Sequence, residues 1–419
     1  MDEREPSRGS LLVIFLSVFI DLLGFGMVLP LLPIYAVQFT QEEQGWQLGA
    51  LMACFSAMQF LFAPWWGRLS DRVGRRPVLL VGLLGSVLFY ALFGWATVQQ
   101  SLLWLFVARI GAGICGATIP TAQAYIADCT TLENRSKGMA LIGMAFGFGF
   151  TFGPLLGSLA LPGEGAQPGP LPGFVAAGLS AIAFALAWFR LPESLPPGRR
   201  MPTKLHGGLQ DWRRAFSVPS LGMIILTIFV SVFSFASFET TLSLLLKGRT
   251  SPQIFDLNFR QVCWAFAYIG LVLALVQGGF VRRLSGKVSE TRMAMTGIGL
   301  ELLGFVGALV AVSLQSRAGM FAAITSTVAG FAFINPSLNG LLSRRTDPHQ
   351  QGSVLGVGQG ASALARILGA AIGPPLVLRH PQWPPLLAGV LMVLAAMLVV
   401  WSSRHGHDYG SDSNKTTAS

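Results

Sequence analysis

The feature that most constrains this chain is a succession of about twelve apolar runs, each close to twenty residues long and nearly free of charge. A helix rising 1.5 Å per residue needs about twenty residues to cross ~30 Å of hydrocarbon. The runs fall near 10–32, 46–66, 77–98, 101–127, 138–160, 173–190, 220–246, 261–280, 292–314, 318–342, 353–378 and 384–402. Each predicts a transmembrane helix, and together they predict an all-α, multi-pass membrane protein. Composition agrees, since 11% of the 419 residues are charged and 52% hydrophobic. Soluble domains carry roughly 25% charge, so a water-soluble globule of this size would lack the charges to cover its surface. The high apolar content, aperiodic glycine and four cysteines exclude disorder, collagen and a disulfide scaffold.

A net charge of +10 raises nucleic-acid binding, and the placement of the charges answers it. With the N-terminus inside, most of the 29 basic residues fall on cytoplasmic segments. Lys247, Arg249, Arg260, Arg317 and Arg379 fall in outer loops, and Arg109 and Arg366 lie inside runs. This asymmetry is the positive-inside rule, so the basic excess records topology and no nucleic-acid partner is expected. Both termini are predicted to face the cytoplasm, of a bacterial inner membrane or of a eukaryotic membrane. The first run is too long for a signal-peptide core, contains Asp21 and lacks a small-residue cleavage site after it, which predicts a retained span. Cys54, Cys115 and Cys263 lie in runs and Cys129 at a cytoplasmic edge, so no disulfide, metal or cofactor is expected. The glycosylation sequons at Asn134 and Asn414 fall on the inner side and read as chance matches.

The chain repeats itself. Arg68-Leu69-Ser70 recurs as Arg283-Leu284-Ser285, Pro120 has a mate in Pro336, and Gly153 and Gly157 in Gly369 and Gly373, all at an offset of 215 or 216. This predicts two pseudo-symmetric six-helix bundles, 1–190 and 219–402. A proline-rich, basic cytoplasmic linker, 191–218, joins them, and a polar tail, 403–419, follows that is expected to be disordered. Two bundles can rock about a site between them and open to each side in turn, the working principle of a carrier for a small-molecule substrate. The plainer alternative is that duplication built a larger bundle.

The connection after the second run reads Gly67-Arg-Leu-Ser-Asp71-Arg72-Val-Gly74-Arg75-Arg76. Asp71 at a helix end can face a helix N-terminus or an arginine, and the arginines can grip the cytoplasmic ends of neighbouring spans. Gly67 and Gly74 would permit close approach. Such a cluster is a conformational latch, or else only a topogenic basic loop. Asp128 and Arg135, after the fourth run, are expected to join its charges. In the second half Gly286 and Lys287 replace Asp71 and Arg72, and Arg345 to Gly352 is a weaker echo of the segment from Asp128, so the stronger latch is expected in the first half.

Five charges remain inside the runs: Asp21, Arg109, Glu239, Glu301 and Arg366. Arg109, Gly113, Gly116 and Pro120 share a helix face, and an arginine at that depth needs a partner or water, unless it snorkels outward. Asp21 precedes Gly24, Gly26 and Pro30, and its approximate mate Glu239 is expected at similar depth. A carboxyl in a low-dielectric medium holds its proton to higher pH than one in water, the property a proton-coupled carrier needs. A structural hydrogen bond to a neighbouring helix is the alternative. Glu301 could snorkel or hold a structural contact, and Arg366 could pair with an acid or bind an anionic substrate. Gly149, Gly153 and Gly157 recur every four residues and offer a smooth packing face, and Pro154 deletes one backbone bond near Phe150, so the helix is expected to bend or hinge there unless the string is a packing face alone.

The 67–76 string resembles the signature loop of the major facilitator superfamily. The segment from Leu105 to Ala117 is similar to the family's buried-arginine motif, with Ala112 where a glutamine is common. Gly149-x-x-x-Gly153-Pro154-x-x-Gly157 resembles the motif typical of its proton-driven antiporters. The Asp21 segment looks like the first span of tetracycline-efflux proteins, and Gln59 to Pro64 and Glu239 to Ser243 resemble the tetracycline-transporter-like group. The resemblance implies a monomeric secondary transporter of the drug:proton antiporter branch, with Arg109 implicated in proton handling. It would export drugs or amphipathic organic compounds, organic anions among them, against inward proton flow. Import of a sugar or other metabolite is the first alternative. A membrane enzyme or receptor is the remote one, because all five histidines lie outside the spans.

Overall fold

A computed structural model describes residues 8–39, 45–130, 135–160, 169–195, 209–248, 255–285, 287–346 and 351–405. Linker residues 196–208, the Asp347 loop, the sequon at Asn134 and the tail beyond His405 lie outside the described residues. The described residues are almost wholly helical. Among the described residues eleven helices are long and apolar enough to cross a membrane, and a twelfth apolar stretch, Met144–Leu159, is shorter. Large apolar side chains such as Leu303, Leu159 and Phe189 stand on the outside, which suits a lipid solvent and would be costly in water.

The helices are α1 (Arg8–Val28), α2 (Leu32–Phe39), α3 (Trp46–Val73), α4 (Arg75–Val98), α5 (Leu102–Cys115), α6 (Ile119–Asp128), α7 (Arg135–Leu159) and α8 (Leu171–Arg190). There follow α9 (Leu209–Ser217), α10 (Pro219–Lys247), α11 (Phe259–Leu275), α12 (Arg282–Leu284), α13 (Glu290–Ser313), α14 (Arg317–Arg344), α15 (Gln351–Arg379) and α16 (Trp383–His405). Their ends fall within a few residues of the apolar runs, with four informative differences.

First, α1 ends at Val28, short of the run's end at 32, and turns at 29–31, while Gly24 and Gly26 stay helical and serve packing. Second, the loop expected between spans two and three is a single residue. α3 continues through Gly67 and Asp71 to Val73, and Gly74 at φ 111°, a conformation L side chains avoid, starts α4 at the next position. Third, span four is broken at 116–118 into α5 and α6, with Pro120 in the first turn of α6, where its missing N–H costs nothing. Its mate Pro336 sits inside unbroken α14. Fourth, the linker contains α9, on which Trp212 and Phe216 stack one turn apart, and a π-helical turn (Val276–Val281) separates α11 from α12.

The described helices group into two compact units. The first holds α1 to α8 together with α11 as far as Leu271. Within it Gly270 lies against the backbone of Phe150 and Thr151, and Trp264 Nε1 donates to Ser158 Oγ at 3.3 Å. Its core joins α1 to α7 and α8, and α4 to α5 and α8. The second holds α9, α10, the remainder of α11, and α12 to α16, with α10 packed on α15 and α16 and α13 on α14.

Candidate functional site

In the first unit Asp21 stands on α1 and accepts a hydrogen bond from Ser180 Oγ of α8 at 2.8 Å, with Ser86 of α4 as a second donor. Both serines are buried, so the acid is held between three helices. Arg109 does not snorkel. It is 3% exposed, and its guanidinium lies 4.3 Å from the centre of the Phe55 ring and 6.0 Å from that of Phe25. Aromatic faces stabilise a cation worth more when desolvated, and Nε has no hydrogen-bond partner. Gly113 makes this approach possible, because a Cβ there would lie 2.6 Å from the Phe55 carbonyl oxygen. Tyr90 of α4 is buried within electrostatic reach of both Asp21 and Arg109. The serines, Phe25, Phe55 and Tyr90 carry no motif, and sequence reasoning passed over them.

Gly149, Gly153 and Gly157 dock α7 on α1. A Cβ on Gly149 would meet Leu22, one on Gly153 would lie 2.8 Å from the backbone of Gly26 and Leu23, and one on Gly157 would meet Met27. Gly26 answers from the other side, its Cβ position 2.5 Å from the Gly149 carbonyl oxygen. Pro154 is accommodated inside a helix that runs on to Leu159.

Where α3 meets α4, Arg75 gathers the charges. Its Nη1 donates to Asp71 Oδ1 and to Ser70 Oγ at 2.6 Å, and its Nε donates to Asp128 Oδ2 at 3.2 Å. Arg76 donates to the Trp188 carbonyl and lies over that ring. Arg72, expected in the latch, is exposed. Gly67 makes no close approach, since a Cβ there would meet nothing within 4 Å. Arg135 begins α7, and its side chain lies outside the described residues. The residue missed in the sequence is Glu193. Its carboxylate accepts from the Arg75 and Arg76 backbone N–H groups at 2.8 and 3.3 Å, placing negative charge at the N-terminus of α4. Ser194 Oγ donates to Asp128 Oδ2, so the start of the linker is tied to the same cluster. An acid directly after span six, ahead of the basic residues of the linker, was the available signal. Beside it, burial and the Asp128 charge push the Cys129 thiol up to about 11, leaving it un-ionised and unreactive near neutral pH.

In the second unit Gly369 and Gly373 dock α15 on α10 as the glycines of α7 dock on α1, the first against Phe233, Ala236 and Ser237, the second against Ser237, Thr240 and Thr241. This register corrects the expectation that the two acids, approximate mates by counting, sit at similar depth. Asp21 is level with Gly149, whereas Glu239 is level with the stretch between Gly369 and Gly373, whose mates are Gly153 and Gly157. Glu239 therefore stands roughly two helical turns further along its bundle than Asp21 does in its own. Arg366 of α15 is within electrostatic reach of Glu239 and is exposed. Glu301 neither snorkels nor pairs. It is 0% exposed between α13 and α14, against Gly330, with no hydrogen-bond partner for either carboxyl oxygen.

Comparison with known proteins gives these two units a context. The profile of the Major Facilitator Superfamily matches residues 14–370. Tetracycline resistance protein, class C, of Escherichia coli is 32% identical over 374 residues, covering 88% of this chain and 89% of that protein. Major facilitator superfamily domain-containing protein 10 of Homo sapiens is 30% identical, covering 96% and 91% respectively. The crystal structure of the human organic anion transporter MFSD10 (TETRAN) superposes with a TM-score of 0.70 at 28% identity, over 94% of this chain and 99% of that one.

Proposed function

The chain belongs to the Major Facilitator Superfamily, and from that premise we propose that this multi-pass transporter exports amphipathic organic compounds against an inward flow of protons. It is a carrier of small molecules and not an enzyme. Relatives named for tetracycline resistance and for organic anion transport support drugs or organic anions as its substrates. The observation that carries the proton-coupled reading is the placement of the glycine–proline face of α7 directly on the turn of α1 that holds Asp21, since Gly149 abuts Leu22. A movement of α7 and a change at the acid would then be felt by each other through backbone contacts that cannot be compressed. Both termini lie in the cytoplasm on this reading, as the placement of basic residues implies.

The test is flux in proteoliposomes of purified protein under an imposed pH gradient, screened over a library of amphipathic drugs. Accumulation that follows the gradient and vanishes with a protonophore is expected. Accumulation of the same compounds indifferent to the gradient would refute proton coupling.

The Arg75 cluster acts in this scheme as the latch of one conformation. Asp71→Asn removes the charge while keeping the shape, and is expected to shift the resting balance between states open to either side. Single introduced cysteines at both ends of the spans would report it, with Cys129 too weakly ionised to interfere. Unaltered reactivity on both sides would leave Asp71 as an anchor only.

A further inference from the structure

We propose that the second unit carries a recognition face for an amphipathic organic anion: Arg366 takes the charge, Phe235 and Phe331 take the ring system, and Asn335, Asn339 and Gln359 take a second hydrogen-bonding group roughly 10 Å from the charge. The inference rests on the transport reading above and adds to it which groups of the ligand are read and by which residues.

Arg366 lies in the middle of the 29-residue α15, far from either end, yet its side chain is exposed. A guanidinium at that depth is not left in hydrocarbon, so it faces water or a ligand. It carries five N–H donors in a planar fork matched to carboxylate, sulfonate or phosphate oxygens. Its electrostatic neighbour is Glu239 on α10, and one carboxylate leaves donors to spare. The close docking of Gly369 and Gly373 fixes α15 beside the stretch of α10 that bears Glu239.

Gln359 is exposed seven residues before Arg366, two turns along the same face of α15. Its Nε2 reaches Asn339 Oδ1 of α14 at 3.5 Å, and Asn339 Nδ2 donates to both the carbonyl and Oδ1 of Asn335 at 2.8 Å. Three amides thus converge from two helices. Between Gln359 and Arg366 this face of α15 carries Ser362, which is buried and donates to the Gly358 carbonyl, and Ala363, both small side chains. Beside it, Phe235 stands one turn before Glu239 and Phe331 one turn before Asn335, with rings stacked at 4.0 Å between centroids. Charge, aromatic surface and amides lie on the facing helices of one unit.

The test uses full-length protein in liposomes and a panel of aromatic carboxylates with a distal hydroxyl or carbonyl, each paired with its neutral carboxamide, alongside a cationic panel. Wild type is expected to move the carboxylates faster than their carboxamides. Arg366→Gln should lower carboxylate flux roughly ten- to a hundredfold more than carboxamide flux, and Arg366→Lys should recover part of the difference. Gln359→Leu should slow only ligands with the distal polar group. A preference for carboxylates that survives Arg366→Gln overturns the inference, and so does an equal loss of carboxamide flux in that variant, which would make Arg366 a structural residue. Flux of the cationic panel alone also overturns it while the transport reading stands; no flux of any panel removes both.

Discussion

Asp21→Asn is expected to leave the protein folded and to reduce transport driven by a pH gradient to the level of protein-free liposomes. Asparagine has the shape of aspartate, and its side-chain oxygen can still accept the hydrogen bond that Ser180 Oγ donates at 2.8 Å. Its amide can donate in turn to the hydroxyl of Ser86, so the three-helix contact among α1, α4 and α8 loses no partner. What is lost is the capacity to bind and release a proton. A carrier whose driving step is protonation of this group therefore fails at coupling and keeps its structure. Two measurements separate the outcomes. A thermal midpoint within a degree or two of wild type shows that the fold is intact. Substrate flux under equal and opposed pH gradients then shows whether the gradient is still felt, and an unchanged gradient dependence would reduce Asp21 to a structural hydrogen-bonding group. Asp21→Glu provides the reverse control, because it restores a titrating group one methylene further out and should retain part of the coupled flux.

The length and order of the spans were legible because one physical quantity, the thickness of hydrocarbon, sets them, and almost every apolar run corresponds to a helix within a few residues. What lay beyond reach depends on which residues come to face each other. The break at 116–118 and the unbroken helix through Pro336 involve the same residue type at matching positions, and only the neighbours decide which proline starts a helix and which is absorbed in one. Asp21 and Glu239 counted as approximate mates at similar depth, but the glycine contacts place Glu239 about two turns further along its own bundle, since a repeat in sequence does not hold helix register to within a turn. Arg109 was recognisable as a buried charge, yet its partners are rings from α1 and α3, which carry no polar signal. Glu193 was hidden for the opposite reason, being one acid in a segment read for its basic residues. Glu301 was open to either snorkelling or a structural contact, and its enclosure by α13 and α14 follows from Gly297, Gly304 and Gly330 bringing those helices into backbone contact.

Those glycine contacts also lead to a sharp pair of expectations on a single helix. Gly153→Ala should destabilise the protein by about 1–3 kcal/mol, the usual cost of forcing atoms into a filled interior. The added methyl would lie 2.8 Å from the Cα and carbonyl carbon of Gly26 and from the Leu23 oxygen. All three are backbone atoms, so no rotamer change relieves the clash and α1 and α7 must part. Gly147→Ala, less than two turns away on α7, meets nothing within 4 Å and should be neutral or stabilising by about 0.5–1 kcal/mol through the greater helix propensity of alanine. Propensity alone predicts the same sign for both substitutions, so opposite signs isolate the packing. Thermal unfolding of the two variants in the same detergent measures the difference, and equal midpoints would mean that α1 and α7 are not in backbone contact. Gly369→Ala should repeat the Gly153 result, because its methyl would fall 2.8 Å from the Phe233 carbonyl oxygen of α10. The glycine string would then be a packing device present in both units. The proton-linked role proposed for the first unit would rest on what that string packs against, the turn of α1 bearing Asp21, and not on the glycines themselves.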